Sequence, residues 1–187
     1  MADILSVRPL YQGWMDLLMV RLRAGDDEMD RHVVKVGRAV AVLPYDPDRR
    51  VALLVSMPRA PVMLSGEPDM LEAIAGLLDG DDPRDDARRE AMEEAGVRLG
   101  PLRSIGQFWS IPAFTMEKID YYLAPYSAAD RIEAGGGHPH EQEHITVHEI
   151  ALADLWAMFE RHEIKDVKVA ILLMALRIEN GRLFGAE

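Results

Sequence analysis

Residues 76–97 read GLLDGDDPRDDARREAMEEAGV, and the physical reading of this stretch decides the fold. Pro83 suits a first helical position because its missing N–H would have no partner there, and Asp81 or Asp82 before it suits an N-cap. Gly96 lies where a left-handed residue ends a helix, so the spacing predicts a helix over about residues 83–95. Ala87, Ala91 and Ala95 recur every four residues, a small-residue stripe that lets a helix lie close against a sheet. Glu90, Glu93 and Glu94 then share a neighbouring face at spacings where like charges repel, so a positive partner is expected. Two partners are open on these residues alone. One is a solvated acidic face compensated by Arg84, Arg88 and Arg89. The other is a divalent cation such as Mg²⁺, which takes oxygen ligands from few carboxylates and leaves room for substrate phosphates.

Working outward, the chain reads as strands first and helices later. Residues 3–10, 14–23 and 29–36 predict a small meander, broken at Gly13 and at the polar turn Ala24-Gly25-Asp26-Asp27. AVAVLP at 39–44 and VALLVSMP at 51–58 flank the turn residues Asp46-Pro47-Asp48 and predict a hairpin buried on both faces. Further strands are expected at 102–110, 117–125 and 145–150. Two helices close the chain, about 151–161 with Leu152, Leu155, Trp156 and Phe159 on one face, and about 166–179, capped by Asp166 and stopped by Gly181. This order predicts an α/β sandwich with a mixed sheet.

Composition bounds the function. The 187 residues suit one domain or one domain with an appendage, and 49% hydrophobic with 28% charged residues is a globular balance. A formal charge of -11 repels phosphate polymers and anionic membranes, so neither nucleic acid nor a membrane is an expected partner. The chain has no cysteine, which excludes disulfides, thiol catalysis and thiolate zinc sites. No run approaches the ~20 apolar residues of a membrane span and the opening residues lack a signal-peptide pattern, so a cytoplasmic location is expected.

The quoted stretch resembles the signature of the Nudix hydrolases, G-x5-E-x7-R-E-U-x-E-E-x-G-U with U bulky and apolar. Arg89-Glu90-Ala91-Met92-Glu93-Glu94-Ala95-Gly96-Val97 matches the second half, Ala91 being small for its place. The first half is one residue short, and Asp82, or Asp81 if the gap is placed earlier, stands for the consensus glutamate that braces the loop and the arginine in the family. The same shortening is familiar from the GDP-mannose pyrophosphatase branch. Residues 37–180 follow the Nudix order of strands and helices, so an α/β/α sandwich with a mixed sheet is implied for a domain over 37–187. Residues 1–36 resemble the N-terminal antiparallel strand extension by which nucleotide-sugar pyrophosphatases form dimers.

The resemblance implies a homodimeric, Mg²⁺-dependent hydrolase, with Mn²⁺ as a substitute, that cleaves the diphosphate of a nucleotide-sugar of the ADP-ribose or GDP-mannose type to a nucleoside monophosphate and a sugar phosphate. It implies metal ligands at Glu90, Glu94, Glu93 and the Ala75 carbonyl, and substrate contacts at Arg59, Glu72 and Glu117. Gly76, Asp82, Arg89 and Gly96 are implied as structural residues of the signature. The water-activating group falls on the loop after Gly135-Gly136-Gly137, at Glu143 with Glu141 as reserve, or at Glu93 on the helix. The alternative is a module of the same fold that binds nucleotide-sugars with little turnover, favoured by the shortened signature and by the missing glycine in Ser110-Ile111-Pro112-Ala113. His138, His140, His144 and His148 crowd one stretch, and are read as surface or substrate-contacting groups rather than as a zinc site, since no further ligand set matches a structural zinc pattern.

Overall fold

The computed structural model describes residues 2–137 and 144–185. The chain divides into two compact units, one of residues 1–39 and 107–119, the other of 40–106 and 120–187.

In the first unit, β1 (Ala2–Tyr11), β2 (Asp16–Ala24) and β3 (Asp27–Lys35) form a three-stranded antiparallel sheet in chain order. The β2–β3 turn is tight because Gly25 takes a left-handed φ of 64°, and Ala24 faces Asp27 in register. The segment 107–119 joins this unit through backbone bonds on both sides of Val34, from its N–H to the Phe114 carbonyl and from the Met116 N–H to its carbonyl. Every residue of β1 is exposed, although the strand carries Ile4, Leu5, Val7, Leu10 and Tyr11.

The second unit holds β4 (Ala39–Asp46), β5 (Val51–Ser56), α1 (Ala60–Leu64), β6 (Ile74–Leu77), α2 (Pro83–Ala95), β7 (Arg103–Trp109), β8 (Lys118–Pro125), β9 (Thr146–Ala151), α3 (Leu152–Glu160) and α4 (Val167–Glu179), the outer ends of β4, β7 and β8 reaching into the first. The sheet runs β7-β8-β4-β5-β9, with β6 also paired to β4. Strands β4 and β5 form the expected antiparallel hairpin, and β9 lies antiparallel along β5 with Leu54 opposite His148. The predicted helix and strand positions hold to within a few residues, and the short helix α1 is an element the pattern did not announce, since its Pro61 reads equally well as loop.

The double burial of the central strands explains their unbroken apolar sequence. Val40, Val42, Leu53, Val55 and Ile74 pack with Ala87, Ala91 and Ala95 of α2 in one cluster. The alternate residues Ala41, Leu43, Ala52 and Leu54 are buried as completely, and α3 and α4 contribute Leu152, Leu155, Leu172, Leu173 and Leu176 to the buried set. The result is the expected α/β/α sandwich with a mixed sheet and an N-terminal antiparallel sheet.

At the β4–β5 turn, buried Asp46 accepts Arg49 Nε at 2.6 Å, while Arg49 Nη1 and Nη2 donate to Glu149 of β9 at 2.8 and 2.9 Å. Tyr126 Oη donates to the same Glu149 carboxylate at 2.9 Å. Burial pushes the Asp46 carboxyl up, but the Arg49 amide and guanidinium with the Asp48 amide hold it below the usual carboxylate range. The Arg49 guanidinium does the same for Glu149.

Candidate active site

Helix α2 is built by its ends and by its alanines. Asp82 is extended at φ -101° and accepts the Arg84 N–H at 2.9 Å, Pro83 follows, and Gly96 at φ 62° returns its N–H to the Met92 carbonyl at 2.9 Å. With Ala87, Ala91 and Ala95 wholly buried, the rotation of the helix about its axis is set, and that rotation brings Glu90 and Glu94 toward β6. The Glu90 carboxylate lies so close over Gly76 that any side chain there would collide with it. Glu94, 2% exposed, accepts the Ala75 N–H at 3.4 Å. The structure therefore brings Ala75, Gly76, Glu90 and Glu94 together.

Arg89 supplies the positive partner that the acidic face requires. Its Nη2 stands 2.8 Å from Glu90 Oε1, its Nη1 donates to Glu93 Oε2 at 2.8 Å, and Nη2 also donates to the Leu77 carbonyl and to Asp86 at 3.3 Å. Partial burial works against the guanidinium charge, and Glu90, Asp86 and Glu93 overcome it, holding its pKa above the ordinary arginine range. The bracing contacts come from Asp86 rather than Asp82: Asp86 accepts the amides of Asp79 and Gly80, whereas the Asp82 carboxylate caps the helix and pairs with Arg84.

The donor set fits a hard divalent cation, since Glu90, Glu93, Glu94 and the Ala75 carbonyl offer only oxygen and Gly76 is the cradle that seats Glu90 against the backbone. As placed, Glu90 and Glu93 are paired to Arg89, and among the described residues no three Asp, Glu or His side chains are gathered for a metal.

A second constellation stands on the strand segment that leads into β6. Glu72 exchanges both backbone bonds with Val55, at 3.0 and 2.7 Å, and its carboxylate is only 2% exposed as a residue. Arg59, the N-cap of α1, donates to it through Nε at 2.9 Å and Nη2 at 3.1 Å. Lys168 of α4 adds an ammonium at 3.5 Å, and Asp166 holds that ammonium at 3.0 Å, caps α4 through the Lys168 N–H at 3.0 Å and accepts the Ala73 N–H at 3.1 Å. Two buried carboxylates are thus matched by two cations, the arrangement that makes their burial tolerable. Arg59 and Glu72 are expected from the sequence, whereas Lys168 is not, and Asp166 is expected only as a helix cap. The alternation of charge at Asp166 and Lys168 was visible, but not the partner 96 residues away.

Other expected residues lie elsewhere. Glu117 belongs to the first unit, where its carbonyl accepts the Ser110 N–H at 3.2 Å and its own N–H meets Thr115 Oγ1 at 3.2 Å. Glu141, Glu143, His138 and His140 lie outside the described residues. The glycines before them are anchored on α2, with the Gly136 N–H on the Glu94 carbonyl at 2.9 Å and the Gly137 N–H on that of Glu93 at 3.0 Å. His148 pairs with Ser56 Oγ at 2.8 Å.

A mixed sheet carrying a short strand with Gly76 in it, and a helix whose glutamates fold back onto that glycine, is the arrangement of the Nudix hydrolases. The chain belongs to that family: the NUDIX domain matches residues 35–170. Among curated relatives, GDP-mannose pyrophosphatase of Citrobacter koseri is 34% identical over 145 residues, 76% of this chain and 75% of its own length. GDP-mannose pyrophosphatase of Klebsiella pneumoniae subsp. pneumoniae is 31% identical over 181 residues, 93% of this chain and 90% of its own. A solved structure described as an ADP compounds hydrolase superposes with a TM-score of 0.78, covering 98% of this chain and 97% of its own at 18% identity, and so shares the fold.

Proposed function

We propose that this protein hydrolyses the diphosphate of a nucleotide-sugar, of the GDP-mannose or ADP-ribose type, to a nucleoside monophosphate and a sugar phosphate. The observation that carries this reading is the seating of Glu90 and Glu94 against the Ala75–Gly76 backbone by a helix fixed through its alanine face. Glu90, Glu94 and Glu93 with the Ala75 carbonyl would hold Mg²⁺, or Mn²⁺ in its place. When bound, the cation supplies charge neutralisation at the diphosphate and a lowered pKa for attacking water. Arg59, oriented by its two bonds to Glu72, offers a guanidinium to the substrate's phosphates. Glu143, or Glu141 in reserve, takes the proton of the water whose oxygen joins phosphorus as the bridging P–O bond breaks. Glu93, the remaining candidate, is at rest committed to Arg89.

The same reading includes a homodimer. Support comes from β1, an edge strand exposed along its whole length whose Ile4 is 70% exposed, followed by Trp14 at 83%. Such an edge with apolar side chains needs a cover. Glu117 and the Ser110–Glu117 stretch are assigned to substrate shaping on resemblance alone.

The test is a product analysis with nucleotide-sugars and nucleoside triphosphates in the presence of Mg²⁺. Release of nucleoside monophosphate and sugar phosphate from nucleotide-sugars, with triphosphates untouched, is expected. Tight nucleotide-sugar binding with negligible turnover would replace the enzyme by a binding module.

A further inference from the structure

We propose that Asp86 is a positioning residue that restrains Arg89 and thereby keeps Glu90 and Glu93 available to a divalent cation. The proposal rests on the metal-dependent reading above. Asp86 lies in the first turn of α2 beside Asp85, yet it is 4% exposed while Asp85 is exposed. A negative charge near a helix N-terminus is favourable on any face, so the helix dipole explains the presence of both residues but not the burial of one. Burial follows from three donors. Asp86 Oδ1 accepts the Asp79 N–H and Arg89 Nη2, and Oδ2 accepts the Gly80 N–H, each at 3.3 Å. One carboxylate thus ties the turn between β6 and α2 to the guanidinium.

The consequence lies in the competition for Arg89. The guanidinium is shared among Asp86, Asp79, Glu90 and Glu93. Each carboxylate on the loop side draws the cation from the two glutamates that the metal needs. If the charge of Asp86 is removed, Arg89 falls more fully to Glu90 and Glu93, and a divalent ion must displace a tighter internal partner. Asp82 takes no part in this competition: exposed, it caps the helix through Arg84.

The test titrates Mn²⁺ alone into wild type, Asp86→Asn and Asp82→Ala by calorimetry and follows amide exchange at Asp79 and Gly80. Asparagine keeps the size and one acceptor oxygen but loses the charge. Asp86→Asn is expected to weaken Mn²⁺ binding about fivefold and to speed exchange at both amides. In the active enzyme it should raise the Mg²⁺ concentration for half-maximal rate by a similar factor and leave the substrate KM unchanged. Asp82→Ala should lower the melting temperature with the Mn²⁺ affinity of the wild type. Wild-type Mn²⁺ affinity in Asp86→Asn, or an equal loss in Asp82→Ala, would overturn the proposal. A wild-type protein that binds Mn²⁺ but cleaves no nucleotide-sugar would instead overturn the functional reading, and the binding comparison would still decide the role of Asp86.

Discussion

The first sheet and the α2–β6 region treat their apolar and charged groups in opposite ways. In α2 and β6 every demand is met within the unit: the alanine stripe is buried, Glu94 and Asp86 are buried with hydrogen-bond donors, and Arg89 answers the acidic face. In β1 apolar side chains stand in solvent on a strand whose outer edge has no strand partner among the described residues. The difference teaches that one region meets its polar and apolar demands internally while the other leaves apolar side chains in solvent, and the proposed cation site and dimer interface rest on these two features respectively.

The largest expected effect tests the first half of that contrast. Glu94→Gln keeps an acceptor for the Ala75 amide but removes the charge, and should lower kcat at least ~10²-fold, about 2.7 kcal/mol in the transition state, with an unchanged circular dichroism spectrum. Unaltered turnover in the folded variant would mean that the buried carboxylate serves packing alone. Next comes Arg59→Ala, which removes the guanidinium that Glu72 orients toward the proposed phosphate position and should raise the substrate KM on the order of tenfold, with Arg59→Lys intermediate because an ammonium cannot keep both bonds to Glu72 in the planar fork. An equal loss in kcat with constant KM would place Arg59 at the reacting phosphorus instead.

The second half of the contrast is tested by paired Ile4→Glu and Val7→Glu. Both positions are exposed in the chain, so the fold should survive, while light scattering should report monomers where the wild type is dimeric. A wild type that is monomeric and active would show that the exposed strand needs no cover of this kind.

Helix α2 was legible in the sequence because all its determinants are local: a cap, a proline, a left-handed glycine and alanines four apart lie within one short segment. Gly76 and Glu90 were legible as members of one signature through the resemblance of the same segment, whereas the close approach of the Glu90 carboxylate to Gly76 was not. What remained hidden was long-range or chemically degenerate. Nothing near Glu72 announces Lys168, and nothing in DDPRDDARR says which aspartate is buried, since Asp82, Asp85 and Asp86 are alike until the helix phase and the turn before it exist together. Strand β1 reads as an ordinary strand by alternation, and only its pairing on one edge shows that its apolar residues lack a cover.

The smallest effect concerns a charged cluster outside the site. Asp46 and Glu149 have folded pKa values depressed by Arg49, so their contribution is present above the unfolded carboxylate range near ~4 and is lost as pH falls through the lower folded values. Arg49→Met should therefore lower the melting temperature at neutral pH, and the gap to wild type should close as pH falls through the depressed folded values of the two carboxylates. A gap constant with pH would assign the loss to packing of the arginine stem.

The central claim is that α2 and the end of β6 form the cation site, and calorimetric titration of Mg²⁺ into the wild type and into a Glu90→Gln/Glu94→Gln double variant tests it most directly. Saturable binding in the wild type and its loss in a folded double variant are expected. Equal binding by both proteins would place the cation elsewhere and contradict the site.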